Sequence, residues 1–268
     1  MAKKALCIGI NYIGTDHELQ GCINDSMNVR SLLINQYQIP TGNITLLTDS
    51  PSSLPMFQPT KAIIIQYMKD LVSQAQKGDT LFISYSGHGS LISGTEDVMC
   101  PLDFDTNGFI DNLQIHSLLV SPLPLGVSLV ALMDCCQSGT LFDLPYTYQS
   151  KSTIKDEITK EIKKIEPQIH FLRRNTKVQS ASKAKNGDVF LFSGCKDNQY
   201  SLDTADNGNP CGAMTDCFIK VLSATPKINY VNLLLGIRKA IDQLTNNYPQ
   251  TPQLSSNNKG HIFNIVNF

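Results

Sequence analysis

Two short stretches carry side chains suited to covalent chemistry. The first, ALMDCCQSGT at residues 131–140, ends an apolar run on Asp134 and then sets Cys135 and Cys136 ahead of a polar, glycine-containing turn. Adjacent thiols in that place admit four readings: packing, a nucleophile, a redox pair, or metal ligands. The second, LFISYSGHGS at residues 81–90, sets His88 between Gly87 and Gly89 directly after another apolar run. A lone histidine is most often structural, but two flanking glycines let backbone N–H groups come close to a ligand. If both runs are strands of one parallel sheet, their ends share an edge and His88 comes near Cys136. That is the Cys–His arrangement of thiol hydrolases, in which the imidazole assists the thiol and N–H groups stabilise an oxyanion. On the residues alone this reading stands beside that of buried packing cysteines.

The elements that must position these groups alternate between strand and helix patterns. Lys4 to Asn11 reads as a strand, followed by a helix that Asn24 or Asp25 can cap and that carries Met27, Val29, Leu32 and Leu33. NITLLT is a second strand. PTKAIIIQYMKDLVSQAQKG is the clearest helix, with Ile64, Met68, Leu71, Val72 and Ala75 on one face, Pro59 before it and Gly78 after it. DTLFISYS, GVSLVALM and DVFLFSG are continuous apolar runs of the kind that fully buried parallel strands show. Helical patterns return at Gly212 to Ala224 and at Val231 to Thr245. The expected fold class is therefore α/β, a mostly parallel sheet with helices on both faces and its sites at the carboxyl ends of the strands. Between Thr147 and Asn186 no strand pattern is visible. Ile154, Ile158, Ile162 and Ile165 allow one amphipathic helix before Pro167, and the rest reads as an exposed basic loop.

Composition sets limits on partners. A chain of 268 residues is long enough for a sizeable core in one large or two small domains. A net charge of −1 provides no basic field for nucleic acid or anionic lipid. The apolar runs are too short to cross a bilayer, and MAKKALCIGIN reads as a first strand rather than a signal peptide. The eight cysteines show no metal-type spacing and read as reduced, mostly buried thiols.

YSGHG together with DCCQSG resembles the two active-site motifs of the metacaspases, in the caspase-like group of cysteine peptidases. ALCIGINY, ELQGCINDSMNV, CPLDFDTNGFIDN, FLFSGCKDNQYSLD, CGAMTDCFIKVL and TPQLS are similar to further blocks of that family, in the same order. The resemblance implies a single caspase-like domain over residues 1–268. It has a large-subunit-like part (1–145), a basic linker (146–186) and a small-subunit-like part (187–268), as in type I members but without a Pro-rich prodomain. It implies His88 as the catalytic histidine, Cys136 as the nucleophile, and the N–H groups of Gly89 and Cys136 as oxyanion donors. In an extended segment Asp134 and Cys136 share a side and Cys135 points inward. The implied specificity pocket consists of Cys22, Asp25, Ser86 and Asp134. Its two carboxylates favour a guanidinium or ammonium group and repel an acidic side chain, although Asp25 could instead cap a helix.

Calcium activation is implied as well, with Asp103, Asp111, Asn112 and Asp143 at the matching positions; oxygen ligands suit that ion. Asn112 stands where the family has a second aspartate, which removes one charge. DFDTNGFID reads equally as a polar surface turn. Gln137 stands where many members have histidine. Three classes of function follow: an arginine- or lysine-directed endopeptidase, a non-proteolytic regulatory or binding homologue on the same fold, and a thiol redox protein using Cys135 and Cys136. The first is preferred, since a redox pair would leave the Gly-His-Gly turn unexplained. The expected partners are peptide or protein substrates with arginine or lysine at the cleaved position, with no nucleic acid and no membrane. By family likeness the chain is a monomer in the cytoplasm, with the nucleus also open. Self-cleavage is expected in the basic linker, between Arg173 and Lys185.

Overall fold

Neighbouring residues of the first strand feed two different cores. In β1 (Lys3–Gly9) Ala5 and Cys7 face one way while Leu6 and Ile8 face the other, and all four are buried. A strand buried on both faces reads as a continuous apolar run, which explains why β1, β3 (Thr80–Ser86), β7 (Ser128–Asp134) and β10 (Asp188–Ser193) stand out in the sequence. With β2 (Ile44–Thr48) they form five parallel strands in the order β2-β1-β3-β7-β10. Three antiparallel strands extend the sheet beyond β10: β13 (Gln253–Ser256), β8 (Tyr146–Gln149) and β9 (His170–Arg173). The structure is a computed structural model, and it describes residues 1–92, 96–135, 138–149, 170–173, 186–194, 203–206, 209–245 and 251–268.

Helices cover both faces of the sheet. On one face lie α1 (Cys22–Asn35), α5 (Ala213–Ala224) and α6 (Tyr230–Thr245), which bury Val29, Leu33, Phe218, Leu222, Leu234 and Ile237 against Phe82, Val130 and Phe192. On the other lies α2 (Lys61–Ser73), which buries Ile64, Met68, Leu71 and Val72 against Leu81, Ile83, Leu129 and Ala131. Each such side chain contributes about 1.5–3 kcal/mol of burial. The result is a three-layer α/β sandwich, as expected. A second sheet of β4 (Gly89–Ile92), β5 (Glu96–Met99) and β6 (Ile110–Asp111) follows the end of β3, and a hairpin of β11 (Asp203–Asp206) and β12 (Asn209–Gly212) precedes α5. Two short helices flank β6: α3 (Phe104–Asn107) and α4 (Asn112–Ile115).

Several expectations need correction. The stretch from Thr147 to Asn186 does contain strand, because β8 overlaps its start and β9 lies within it. Short antiparallel strands take their stability from distant partners, here β13, and leave little local signal. Helix α1 begins at Cys22 with Gly21 as its N-cap, so neither Asn24 nor Asp25 caps it. Met27 is 51% exposed and lies off the buried face. Ala75 lies beyond the end of α2. The proposed helix spanning Ile154–Ile165 and the basic residues from Arg174 to Lys185 lie outside the described residues.

Candidate active site

Strand register sets the site. Gly9 of β1 is paired with Ser86 of β3, and Ser86 is paired with Asp134 of β7. The carboxyl ends of three adjacent parallel strands therefore stand in one row. His88 lies two residues past Ser86. Cys135 is the next residue after Asp134 and is buried inward at 1% exposure, as the strand alternation requires. Cys136 and Gln137 lie outside the described residues. Ser138, the next described residue, donates its hydroxyl to the Cys135 carbonyl at 3.0 Å.

The ring of His88 reaches the loop that leaves β1. Its Nε2 lies 2.8 Å from the carbonyl oxygen of His17. A carbonyl can only accept, so this bond requires the proton on Nε2 and leaves the Nδ1 lone pair as the basic site. The ring also stacks at a tilt on Tyr12, with centroids 4.8 Å apart. Tyr12 is buried with φ 52°, a left-handed backbone that costs a bulky residue about 1–3 kcal/mol. Asp49 holds that conformation by accepting the N–H groups on either side, Asn11 at 2.8 Å and Ile13 at 3.0 Å. Neither Tyr12 nor His17 was legible as a site residue, because a positive φ at tyrosine and a backbone carbonyl leave no mark in the sequence.

Gly89 opens β4 opposite Met99. The neighbouring residues His88 and Cys100 exchange the bond Cys100 N–H to His88 O at 3.1 Å. Antiparallel pairs alternate between bonded and non-bonded, so the Gly89 N–H points away from β5. That direction suits an oxyanion donor.

The expected pocket residues converge. Cys22 and Asp25 lie one turn apart on the same side of α1, both buried. Instead of capping the helix, Asp25 accepts the Ser86 hydroxyl at 2.5 Å and the Gly212 N–H at 2.9 Å. Asp134 accepts the Thr215 N–H at 2.9 Å. Gly212 separates the two carboxylates: a Cβ there would lie 2.8 Å from Asp134 Cγ and 2.9 Å from Asp25 Oδ2. Gly212, a helix boundary in the sequence, thus lies between the two expected pocket acids. A cavity of about 320 Å³ between α1 and α5 has Asp25, Cys211, Thr215 and Asp216 in its wall.

Two of the expected calcium ligands have local hydrogen-bonding roles. Asp103 accepts the Lys61 N–H at 2.7 Å and the Asn107 side-chain amide at 2.7 Å, so it serves the first turns of α2 and α3. Asp111 forms a capping box with Gln114 at the start of α4. Asp143, with φ 48°, lies near His116. Asn112 differs from these: its Oδ1 is buried and has no hydrogen-bond partner. Continuing the Val98–Asp111 register by one residue sets Asn112 beside Asp97, which is 1% exposed and accepts both the N–H and the hydroxyl of Thr140. Asp97 escaped notice in the sequence because its partners are distant in the chain. Among the described residues no group of three or more His, Cys, Asp or Glu side chains is disposed to hold a metal.

A family model of the metacaspase peptidase C14 domain matches residues 3–145. Metacaspase-1 of Saccharomyces cerevisiae is 39% identical over 289 residues, covering 95% of this chain and 66% of its own length. Metacaspase-1 of Cryptococcus neoformans is 40% identical over 287 residues, covering 95% and 62%. The chain thus spans slightly under two thirds of these relatives' length. Among solved structures, a protein from Geobacter sulfurreducens superposes with a TM-score of 0.64 at 20% identity, over 99% of this chain and 100% of its own. Caspase-1 from Spodoptera frugiperda superposes with 0.52 at 10% identity, over 95% and 85%. The sandwich is therefore caspase-like, and by the family match over its first half this chain belongs to the metacaspases.

Proposed function

We propose that this chain is a cysteine endopeptidase that cleaves after arginine or lysine. The observation that carries the reading is the row Gly9, Ser86, Asp134 at the carboxyl edge of the sheet. His88 and Cys136 each follow that row by two residues, and the buried acids Asp25 and Asp134 flank Gly212 beside it.

The chemistry is acyl transfer. Nδ1 of His88 takes the Cys136 thiol proton, and the thiolate attacks the substrate carbonyl carbon. The N–H groups of Gly89 and Cys136 hold the oxyanion. The imidazolium then gives its proton to the leaving amine, and water, deprotonated by the same Nδ1, releases the acyl group from sulfur. The His17 carbonyl keeps the ring in the required tautomer. A guanidinium or ammonium group facing Asp25 and Asp134 forms charge-assisted bonds that an acidic side chain cannot form.

Calcium fits one observation, the buried Asn112 carbonyl beside Asp97, since that ion accepts amide and carboxylate oxygens. Asn112 and Asp97 would hold it, with Asp111 and Asp143 adjacent in sequence or on the loop that Thr140 begins; Asp103 is committed elsewhere. A bound calcium would supply positive charge that orders the loop after Cys136. The basic segment 151–185 provides candidate self-cleavage sites. Arg173 is held in β9 opposite Tyr146, which favours Lys177, Lys183 and Lys185. The described cysteines are reduced thiols, and a reducing compartment such as the cytoplasm suits them. Among the described residues no helix is long and apolar enough to cross a membrane.

The test is hydrolysis of short peptides with arginine, lysine or aspartate at the cleaved position, under reducing conditions with calcium. Arginine and lysine substrates should turn over, the aspartate substrate should not, and Cys136→Ala and His88→Ala should each abolish turnover. Equal rates on aspartate and arginine would overturn the acidic pocket, and full activity of Cys136→Ala would overturn the nucleophile.

A further inference from the structure

We infer that Tyr12 and Tyr85 are positioning residues for His88, a pair of hydroxyls built into the backbone on either side of it. This deepens the peptidase reading and rests on His88 being the base.

His88 and Cys100 face each other across the start of the β4–β5 ladder. In a regular antiparallel pair the two residues exchange two direct bonds. Here one is direct, Cys100 N–H to His88 O at 3.1 Å. The other is replaced by the Tyr12 hydroxyl, which accepts the His88 N–H at 3.0 Å and donates to the Cys100 carbonyl at 2.6 Å. The Tyr85 hydroxyl donates to the His88 carbonyl at 2.7 Å and lies 3.1 Å from the Tyr12 hydroxyl. Both peptide groups of His88 are therefore held by tyrosine oxygens, and its ring rests on the Tyr12 ring.

Three independent features agree with this role. A Cβ on Gly87 would lie 2.8 Å from the Tyr85 hydroxyl and 3.0 Å from that of Tyr12, so the first glycine of Gly-His-Gly is there to admit the two oxygens. The left-handed backbone of Tyr12, held by Asp49, delivers its side chain from β1 to the end of β3. Burial pushes both phenols well above their ordinary range, so each remains a neutral donor wherever the enzyme works. Ring tilt and Nδ1 direction follow from the backbone of His88, and small misplacements of a reacting group are costly.

Tyr12→Phe and Tyr85→Phe keep the rings and remove the oxygens. The readouts are kcat and KM on an arginine peptide, the rate of Cys136 alkylation by iodoacetamide across pH, and thermal melting. Tyr37→Phe is the control, since the Tyr37 hydroxyl is buried without a hydrogen-bond partner in the layer that α1 covers. The expected result is a kcat about 10- to 100-fold lower in each variant at unchanged KM. Cys136 alkylation near neutral pH should slow with it, while Tyr37→Phe behaves as wild type. If Tyr12→Phe retains kcat and the alkylation profile while His88→Ala is inactive, the inference fails and the dyad stands. A loss in Tyr12→Phe that merely matches its unfolded fraction also overturns it. Activity surviving in His88→Ala removes the dyad, and this clamp with it.

Discussion

Replacing Gly212 with alanine tests the acidic pocket without removing either acid. The added methyl would lie 2.8 Å from Asp134 Cγ and 2.9 Å from Asp25 Oδ2, closer than side-chain carbons approach. One carboxylate must move. Asp134 has the tighter contact, and its bond from Thr215 N–H at 2.9 Å would break or lengthen. A basic substrate then loses one well-placed charged partner, worth about 1.5–3 kcal/mol, or roughly 10- to 150-fold in specificity at 1.4 kcal/mol per factor of ten. The assay compares kcat/KM for an arginine peptide with that for the matching citrulline peptide, which has the shape without the charge. Gly212→Ala should lower the arginine-to-citrulline ratio by that factor, chiefly through KM, and leave the citrulline rate unchanged. A folded variant with an unaltered ratio would refute the reasoning, because the methyl group could not be accommodated with both acids in place.

Three further outcomes follow from named side chains. Desolvation lowers the His116 pKa despite the opposing pull of Asp143; the folded state then binds this proton less readily than the unfolded chain. That contribution is present above the ordinary imidazole pKa and is lost as pH falls toward the lowered folded value, so the melting temperature of His116→Gln should fall less between pH 7 and 5 than that of wild type. Burial pushes the Cys7 and Cys217 thiols up to about 12, so brief iodoacetamide treatment at neutral pH should label Cys136 and leave both unmodified by mass spectrometry. Asn112→Asp restores a charge beside Asp97 and should lower the calcium concentration for half-maximal activity; full wild-type activity in excess chelator would remove calcium from the account.

The parts of this fold that were legible are those whose signal is local. Strands β1, β3, β7 and β10 are buried on both faces, so their central positions are mostly apolar without alternation and the runs stand out. Helix α2 shows its buried face at the helical spacing. Strands β8 and β9 were missed because pairing with β13, over a hundred residues from β8 in the chain, decides their conformation. The same distinction separates the site residues. His88 and Cys136 carry recognisable chemistry wherever they lie, whereas Asp25 reads alike as a cap and as a pocket acid. Its bonds to Ser86 and Gly212, 61 and 187 residues away, and the N-cap at Gly21 exclude the cap and leave the pocket acid as a proposal. Asp103 shows the converse: its type suits a metal, while its carboxylate also accepts the N–H of Lys61 at the start of α2.

Register also explains why this sheet can support the proposed chemistry. In parallel strands a row of paired residues fixes which loop positions emerge together. Gly9, Ser86 and Asp134 form such a row, so Tyr12, His88 and Cys135 follow three adjacent strand ends within a few residues of it. A shift of β7 by one residue against β3 would turn Cys135 out of the layer that α2 covers, and it would carry Asp134 away from Thr215. The apolar alternation of β7, with Leu129, Ala131 and Met133 on one face and Val130 and Leu132 on the other, opposes that slip through two cores at once. The packing that stabilises the sheet is thus the same packing that keeps Cys135 buried in the layer that α2 covers.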